Sequence, residues 1–198
     1  MKHDSEEISA FDLVLPKLRE QIKKEFIIPT QIQQKAIFEI LNKKNVLLIA
    51  PTGTGKTEAA IFPVFNLFLK LKNENNRVQG ISVLYVTPLR ALNRDIFQRI
   101  VDFGKKLEIN VEIRHGDTKT SIRRKQALHP PDMLISTPET LQAILPGKRI
   151  REHLRTIQWV IVDEIHEIHP QLLNDKMRNP RIRMILELLL EMKKLTIS

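Results

Sequence analysis

Residues 46–57 place an apolar run directly before a glycine-rich turn and a lysine, and this arrangement constrains the fold more than any other part of the chain. The run at 46–50 favours a buried strand. The turn Pro51-Thr52-Gly53-Thr54-Gly55 follows, and a segment of helical period begins at Lys56. A strand, a glycine-rich turn and a helix in this order are typical of a loop whose backbone N–H groups surround phosphates, although Ala50 replaces the usual first glycine.

The residues of this turn suit a nucleotide. Gly53 and Gly55 permit close approach of the backbone to a ligand, and Thr54 between them belongs to the same loop. Lys56 is long enough to reach the β- and γ-phosphates. The Thr57 hydroxyl is a suitable ligand for Mg²⁺. These five residues therefore predict a site for nucleotide phosphates.

The rest of the chain alternates short β-branched runs with longer segments of helical period. After an N-terminal helical segment, this alternation predicts an α/β fold with a doubly wound parallel sheet. The predicted strands are 46–50, 81–87, 111–114, 133–136, 159–163 and 195–198. The predicted helices are 56–71, 89–106, 119–127, 139–145 and 181–194. The first two strands are almost wholly apolar, which predicts burial on both of their faces.

Composition excludes several classes of protein. The chain has 198 residues, of which 42% are hydrophobic and 28% charged, as in a soluble globular protein. Cysteine is absent, which excludes disulfides and thiolate metal sites. The acidic start and the lack of a long apolar run predict neither export nor a membrane partner, so a cytoplasmic location is expected.

The charge balance favours a polyanionic partner. Lys and Arg number 32 against 23 Asp and Glu, which gives a formal net charge of +9. RNA or DNA would satisfy this balance. Charge alone would also suit an anionic membrane surface, or serve solubility only, so the choice depends on the motifs.

Two predicted strands end in the same pair, Thr87-Pro88 and Thr137-Pro138. Threonine favours the N-cap of a helix and proline its first turn, so both pairs predict a helix start immediately after a strand. Ligands of open α/β sheets bind at the carboxyl edge of the strands, where helix N-termini offer N–H groups to anions.

An acidic pair ends another predicted strand. Residues 158–162 run directly into Asp163-Glu164-Ile165-His166. Asp163 is placed to hold Mg²⁺ through its water shell, and Glu164 to orient and deprotonate an attacking water. Such a pair alone usually marks a solvated turn. Together with the phosphate loop in one sheet, it predicts nucleotide hydrolysis.

These elements, in this order, resemble the first RecA-like domain of superfamily 2 helicases, in which residues 163–166 would be the DExH box, a form of the Walker B motif. Residues 86–92 resemble motif Ia and residues 136–141 resemble motif Ib, which grip the nucleic-acid backbone in this family. The sequences of three segments, 88–95, 114–118 and 163–167, are most similar to those of the large helicase-related (Lhr) group. The resemblance implies nucleic-acid contacts by Thr87, Pro88, Arg90, Thr137 and Pro138.

Residues 26–33 resemble the Q motif, which implies that Gln33 reads the edge of adenine. Gln31 and Gln34 crowd the same helix start, and Phe11 is either an adenine-stacking ring or a core residue. The expected organisation is an N-terminal helical segment at 1–28 with the start of the Q motif, and a RecA-like domain of the P-loop NTPase type at 29–198.

The resemblance implies an ATP-binding hydrolase, the N-terminal motor domain of an ATP-dependent RNA or DNA helicase that uses Mg²⁺ and ignores base sequence. In the family a second RecA-like domain supplies an arginine finger. Because this sequence stops at Ser198, that domain is expected on the same or another chain, and this chain alone is expected to hydrolyse little ATP. The alternatives are a non-enzymatic accessory module or truncated remnant that binds nucleotide and nucleic acid, and a P-loop ATPase of another class.

Overall fold

The computed structural model describes residues 8–74, 79–88, 94–164 and 196–197. Its elements are a 3₁₀ helix at Ala10–Leu13, α1 (Pro16–Glu25), α2 (Gln31–Leu41), α3 (Lys56–Glu74), β1 (Val83–Val86), α4 (Arg94–Lys106), β2 (Val111–Arg114), α5 (Thr120–Leu128), β3 (Met133–Ser136), α6 (Pro138–Ile144), α7 (Lys148–Leu154), β4 (Trp159–Val162) and β5 (Thr196–Ile197). None of the helices in these ranges is long and apolar enough to cross a membrane.

The five strands form one parallel sheet in the order β2-β3-β1-β4-β5. The register places Val86 of β1 opposite both Ser136 and Val162. The carboxyl ends of the three central strands therefore meet at one edge. Thr87, Thr137 and Asp163, each one residue further on, lie side by side there.

Helices cover both faces of the sheet, which confirms the predicted doubly wound α/β fold. In β1, Val83 and Tyr85 contribute to a core with α1, α2, α3 and α4, while Leu84 and Val86 contribute to a second core with α6 and α7. This alternation follows from the two-residue period of a strand. The N-terminal residues join the first core, where the Phe11 ring meets Phe62 edge-on at 6.3 Å between centroids. Phe11 is thus a core residue.

The predicted strand at 46–50 is wrong. Only Leu47 forms an isolated β-bridge, and the residues on either side of it have no strand structure. Leu47 is 57% exposed and Ile49 is 85% exposed, so the expected burial on both faces is wrong as well. An apolar run becomes a central strand only where neighbouring strands pair with it along its length. The described part of the sheet ends at β5, which has two residues.

The two Thr-Pro junctions differ. The Thr137 hydroxyl accepts a hydrogen bond from the Thr140 N–H, which confirms the predicted N-cap of α6. The Thr87 hydroxyl is buried and has no hydrogen-bond partner among the described residues. The residues that it would cap lie outside them, so the predicted cap there stays a prediction. Helix α4 is described from Arg94, and the predicted helix start at residue 89 lies outside the described residues, as does the predicted helix 181–194.

Helix α7 was missed by the sequence analysis. It has seven residues and buries only Ile150 and Leu154, four positions apart. Such a short segment shows too few repeats for its period to stand out. The basic side chains Lys148, Arg149 and Arg151 on α7 are exposed.

Candidate functional site

The phosphate loop connects residue 50 to helix α3, and both of its glycines have positive φ angles. Gly53 has φ +81° and Gly55 has φ +85°, a conformation that side-chain-bearing residues rarely adopt. A Cβ atom on Gly53 would meet nothing within 4 Å. A Cβ atom on Gly55 would lie 2.3 Å from Gln33 Nε2. The first glycine leaves open space beside the loop, and the second lets the loop pack against α2.

The ammonium group of Lys56 turns back into this loop. Its Nζ atom donates to the carbonyl oxygens of Ala50 at 2.6 Å and Pro51 at 3.2 Å. The Thr54 hydroxyl donates to the same Pro51 oxygen at 2.8 Å. A bound phosphate would replace these neutral acceptors with charged oxygens, which form stronger hydrogen bonds with an ammonium group.

Residues of the Q motif fasten helix α2 to the phosphate loop. Thr30 and Gln33 form a capping box: Gln33 Oε1 accepts from the Thr30 N–H at 3.0 Å, and the Thr30 hydroxyl accepts from the Gln33 N–H at 3.4 Å. The same two side chains donate to the loop, Thr30 to the Thr54 carbonyl at 3.0 Å and Gln33 to the Gly55 carbonyl at 3.4 Å. The start of α2 and the loop therefore hold one another in place.

The three glutamines at this helix start have different surroundings. Gln33 is 1% exposed, and both the oxygen and the nitrogen of its side-chain amide form hydrogen bonds within the protein. Gln34 bonds the backbone of Ile8 and Ala10, while Gln31 is exposed. The spacing Thr-x-x-Gln is the sequence signature of a capping box, so this structural role was readable from the sequence. Adenine recognition by Gln33 stays a prediction.

Asp163 follows β4, and both of its carboxylate oxygens accept hydrogen bonds. Oδ2 accepts from the Tyr85 hydroxyl at 2.6 Å, and Oδ1 accepts from the Glu164 N–H at 2.9 Å. The Asp163 N–H donates to the Val86 carbonyl at 2.8 Å, which extends the sheet by one bond. Glu164 has φ +49°, so the backbone turns sharply as soon as β4 ends. The carboxylate of Asp163 is thus fixed at the sheet edge.

Tyr85 was missed by the sequence analysis. It is 1% exposed in β1, and the Thr57 side chain lies beside the hydroxyl that bonds Asp163. Burial raises the pKa of Tyr85 well above its ordinary value, and the negative charge of Asp163 raises that pKa further, while Thr57 lowers it. The sequence feature that could have indicated Tyr85 is a tyrosine among apolar strand residues, because a buried phenol hydroxyl usually has a hydrogen-bond partner.

The residues predicted to contact nucleic acid are mostly buried. Thr87 is 0% exposed and Thr137 is 2% exposed, and Pro138 is also buried. Pro88 is half-buried, and Arg90 lies outside the described residues, as do Ile165 and His166. The structure brings Thr87 and Thr137 together at adjacent strand ends. Their contacts with nucleic acid stay predictions.

Arg114 at the end of β2 carries a buried charge that the sequence analysis did not single out. It is 9% exposed, and its Nε and Nη1 atoms have no hydrogen-bond partner among the residues that the structure describes. Burial lowers the pKa of Arg114, and the positive charge of Arg123 lowers it further. This strand end therefore has positive potential and unused donors, an environment that favours an anion.

The donor set fits a nucleotide with Mg²⁺. Thr57 and Asp163 both reach the Tyr85 hydroxyl, so a hydroxyl and a carboxylate come close together beside the phosphate loop. Mg²⁺ usually takes one or two protein oxygens together with phosphates and waters. A larger cluster of protein ligands is not needed, and the described residues contain no group of three or more His, Cys, Asp or Glu placed to hold a metal.

Known proteins share this sequence pattern. Residues 30–198 match the family described as DEAD/DEAH box helicase. The chain is 37% identical to the ATP-dependent helicase Lhr-Core of Methanocaldococcus jannaschii, over 84% of this chain and 21% of that protein. It is 32% identical to the Lhr helicase/uracil glycosylase of Escherichia coli, over 79% of this chain and 11% of that protein. The chain thus spans about a fifth or less of the length of these relatives.

Solved structures share the fold. The Mycobacterium smegmatis helicase Lhr bound to ssDNA and AMP-PNP matches with a TM-score of 0.76 and 31% identity, over 96% of this chain and 25% of that one. Mss116p bound to ssRNA and AMP-PNP matches with a TM-score of 0.80 over 100% of this chain and 41% of that one, and at 22% identity it shows the fold alone. The chain therefore belongs to the DEAD/DEAH box helicase family, as a first RecA-like domain close to the Lhr group.

Proposed function

We propose that this chain is the ATP- and nucleic-acid-binding N-terminal motor domain of an ATP-dependent RNA or DNA helicase. The observation that carries the proposal is the convergence of Thr57, beside the phosphate loop, and Asp163 on one tyrosine hydroxyl. The family's helicases are ATP hydrolases, and the match begins at residue 30. We assign residues 29–198 to this domain and residues 1–28 to an N-terminal helical segment.

The site residues have different roles in binding ATP. The N–H groups of the turn with Gly53, Thr54 and Gly55 hold the phosphate chain, and Lys56 exchanges its loop carbonyls for phosphate oxygens. Thr57 and Asp163 would hold Mg²⁺, which would supply positive charge to neutralise the transferred phosphoryl group.

Glu164 acts on the attacking water. It follows Asp163 directly at the sheet edge, where its carboxylate orients the water and accepts its proton. An arginine from a second RecA-like domain, on the same or another chain, completes the site. Such a finger contributes about 10³ to 10⁵ in rate in other NTPases, so this chain alone hydrolyses ATP slowly.

Nucleic acid is proposed to bind across the neighbouring strand ends. The formal charge of +9 and the unpartnered donors of Arg114 favour a phosphate backbone. The residues taken from the family resemblance are Thr87, Pro88, Arg90, Thr137 and Pro138. Because phosphates and sugars carry little sequence information, binding ignores base sequence and weakens steeply with salt. The proposal covers both RNA and DNA as ligands.

Thermal unfolding tests the nucleotide site. MgADP should raise the Tm of the wild-type chain, since a ligand that binds only the folded state stabilises it. Lys56→Ala should remove most of that shift and leave the ligand-free Tm nearly unchanged. Lys70→Ala, an exposed lysine on the same helix, is the matched control and should behave as wild type. Equal shifts in all three proteins would refute the assignment of Lys56.

Hydrolysis separates a motor domain from an accessory module. Addition of a matching second RecA-like domain should produce ATP turnover that single-stranded nucleic acid stimulates. Glu164→Gln should abolish this turnover and retain MgADP binding. If the combined domains bind both ligands but never turn over ATP, the accessory-module alternative holds. If no oligonucleotide binds at low salt, a P-loop ATPase of another class is indicated.

A further inference from the structure

The Tyr85 hydroxyl connects two residues of the proposed Mg²⁺ site that come from distant parts of the chain. It donates to Asp163 Oδ2 at 2.6 Å across 78 positions of sequence, and the Thr57 side chain lies beside the same oxygen. Tyr85 is the one tyrosine among the 198 residues. It reaches the site from within β1, and it has no role in the proposed binding and hydrolysis of ATP.

The hydrogen bond from Tyr85 affects both neighbours. A phenol hydroxyl has one proton, and Tyr85 gives that proton to Asp163. The Thr57 side chain lies beside the same oxygen, and because the phenol proton is already taken, Thr57 can interact with this oxygen only as a donor. The lone pairs of the Thr57 hydroxyl are then left for another partner. The second oxygen of Asp163 is held by the Glu164 N–H at 2.9 Å, so the carboxylate cannot rotate without breaking a bond.

Packing alone does not require this hydroxyl. The Tyr85 ring meets Phe97 edge-on, with 5.7 Å between centroids and an interplanar angle of 82°. A phenylalanine would fill the same volume and make the same ring contact. The remaining positions of β1 are Val83, Leu84 and Val86, all apolar and buried. The hydroxyl is therefore the feature of this position that serves Thr57 and Asp163.

We propose that Tyr85 is a positioning residue for Mg²⁺, whose hydroxyl turns the Thr57 lone pairs and one edge of the Asp163 carboxylate toward the metal. The proposal rests on the proposed function, because it assumes that Mg²⁺-nucleotide binds at this edge. Tyr85 itself touches neither metal nor nucleotide.

Mg²⁺ titrations with a fluorescent ADP analogue, mant-ADP, test the proposal. In Tyr85→Phe the Mg²⁺ concentration at half-maximal enhancement of mant-ADP binding should rise about tenfold, the scale of one lost hydrogen bond to a charged group. Binding of mant-ADP in EDTA should stay within about twofold of wild type. Ser82→Ala is the matched control, because it removes a buried hydroxyl just before the same strand that has no partner in the described part of the chain. It should leave both values unchanged.

A double-mutant cycle adds a second criterion. Asp163→Asn should raise the Mg²⁺ requirement by itself, and Tyr85→Phe should add little in that background, because the two residues act through one bond. A Mg²⁺ requirement in Tyr85→Phe within twofold of wild type, or full additivity with Asp163→Asn, overturns the inference. If wild-type mant-ADP binding does not depend on Mg²⁺ or on Lys56, the proposed function itself fails.

A measurement on the intact side chain covers the case in which Tyr85→Phe does not fold. With one tyrosine in the chain, 3-fluorotyrosine gives a single ¹⁹F signal from position 85. MgADP should shift this signal further than ADP in EDTA does, because the metal changes the charge beside Asp163. Identical spectra in the two conditions would overturn the inference.

Discussion

Substitution of Gln33 by alanine should destabilise the ligand-free protein, because this side chain is part of the fold as well as a predicted adenine contact. The change removes the acceptor of the Thr30 N–H and the donor to the Gly55 carbonyl, bonds of 3.0 and 3.4 Å. The Thr30 hydroxyl keeps its own bond to the backbone of residue 33. Half of the capping box therefore survives.

The size of the effect follows from these two bonds. Loss of a cap costs about 0.5 to 2 kcal/mol, and a buried polar group left without a partner costs about 1 to 3 kcal/mol. Because Gln33 is 1% exposed, water cannot replace the lost bonds without rearrangement. Together these costs lower the free energy of unfolding by about 1.5 to 5 kcal/mol, which lowers the Tm by about 3 to 20 °C in a domain of this size.

Ligand-free thermal unfolding, with Gln31→Ala as the matched control, measures the effect. Gln31 is exposed on the same helix turn, so its replacement should change the free energy of unfolding by less than about 0.5 kcal/mol. A ligand-free Tm of Gln33→Ala within 1 °C of wild type, on the scale just given, would refute the reasoning. Titrations with ADP and GDP then measure adenine recognition separately, through the preference between the two bases.

Two further predictions concern the loop and the buried tyrosine. Gly55→Ala combines a positive φ with a Cβ atom 2.3 Å from Gln33 Nε2, so it should cost about 2 kcal/mol or more in urea unfolding, whereas Gly116→Ala, with open space around its Cβ, should cost less than about 1 kcal/mol. In metal-free protein, absorbance near 295 nm should show Tyr85 un-ionised in the folded state at pH values around 10, where tyrosine ordinarily titrates. Because the folded pKa is raised, Tyr85 makes its full contribution to the free energy of unfolding below a pH of about 10, and this contribution is lost as the pH rises from there toward the folded pKa. Ionisation of Tyr85 at its ordinary pKa, without unfolding, would contradict the structure.

The sequence predicted the sheet well where strands are short, β-branched and bounded by polar residues. Residues 111–114 and 133–136 have the predicted bounds of β2 and β3. Residues 46–50 have the strongest apolar pattern, yet only Leu47 forms a bridge. A local pattern reports which residues favour burial, but it does not report whether a neighbouring strand is available to pair with them.

The site was predictable where chemistry follows from residue type and spacing. The sequence predicted the edge position of Asp163, and the structure confirms it. Gly53 and Gly55 were predicted to let the backbone approach a ligand closely, and both have the positive φ angles that favour glycine. The role of Tyr85 depends on the register of β1 against β4, which brings it beside Asp163. No property of the local sequence gives that register, so this contact required the three-dimensional structure.

The position of β1 in the middle of the sheet has a consequence for synthesis on the ribosome. Tyr85 meets Asp163 only after 78 further residues have been made, which takes about 4 to 16 seconds at typical translation rates. During that time the strand cannot pair with β4 over its full length, and it cannot pair with β3 until Ser136 has been made. Its apolar side chains and unpaired backbone groups therefore remain accessible to other chains. Sheets built from such distant segments fold slowly. Recovery of folded protein at high expression rates should therefore depend on chaperone capacity more strongly than for a helical bundle of equal length.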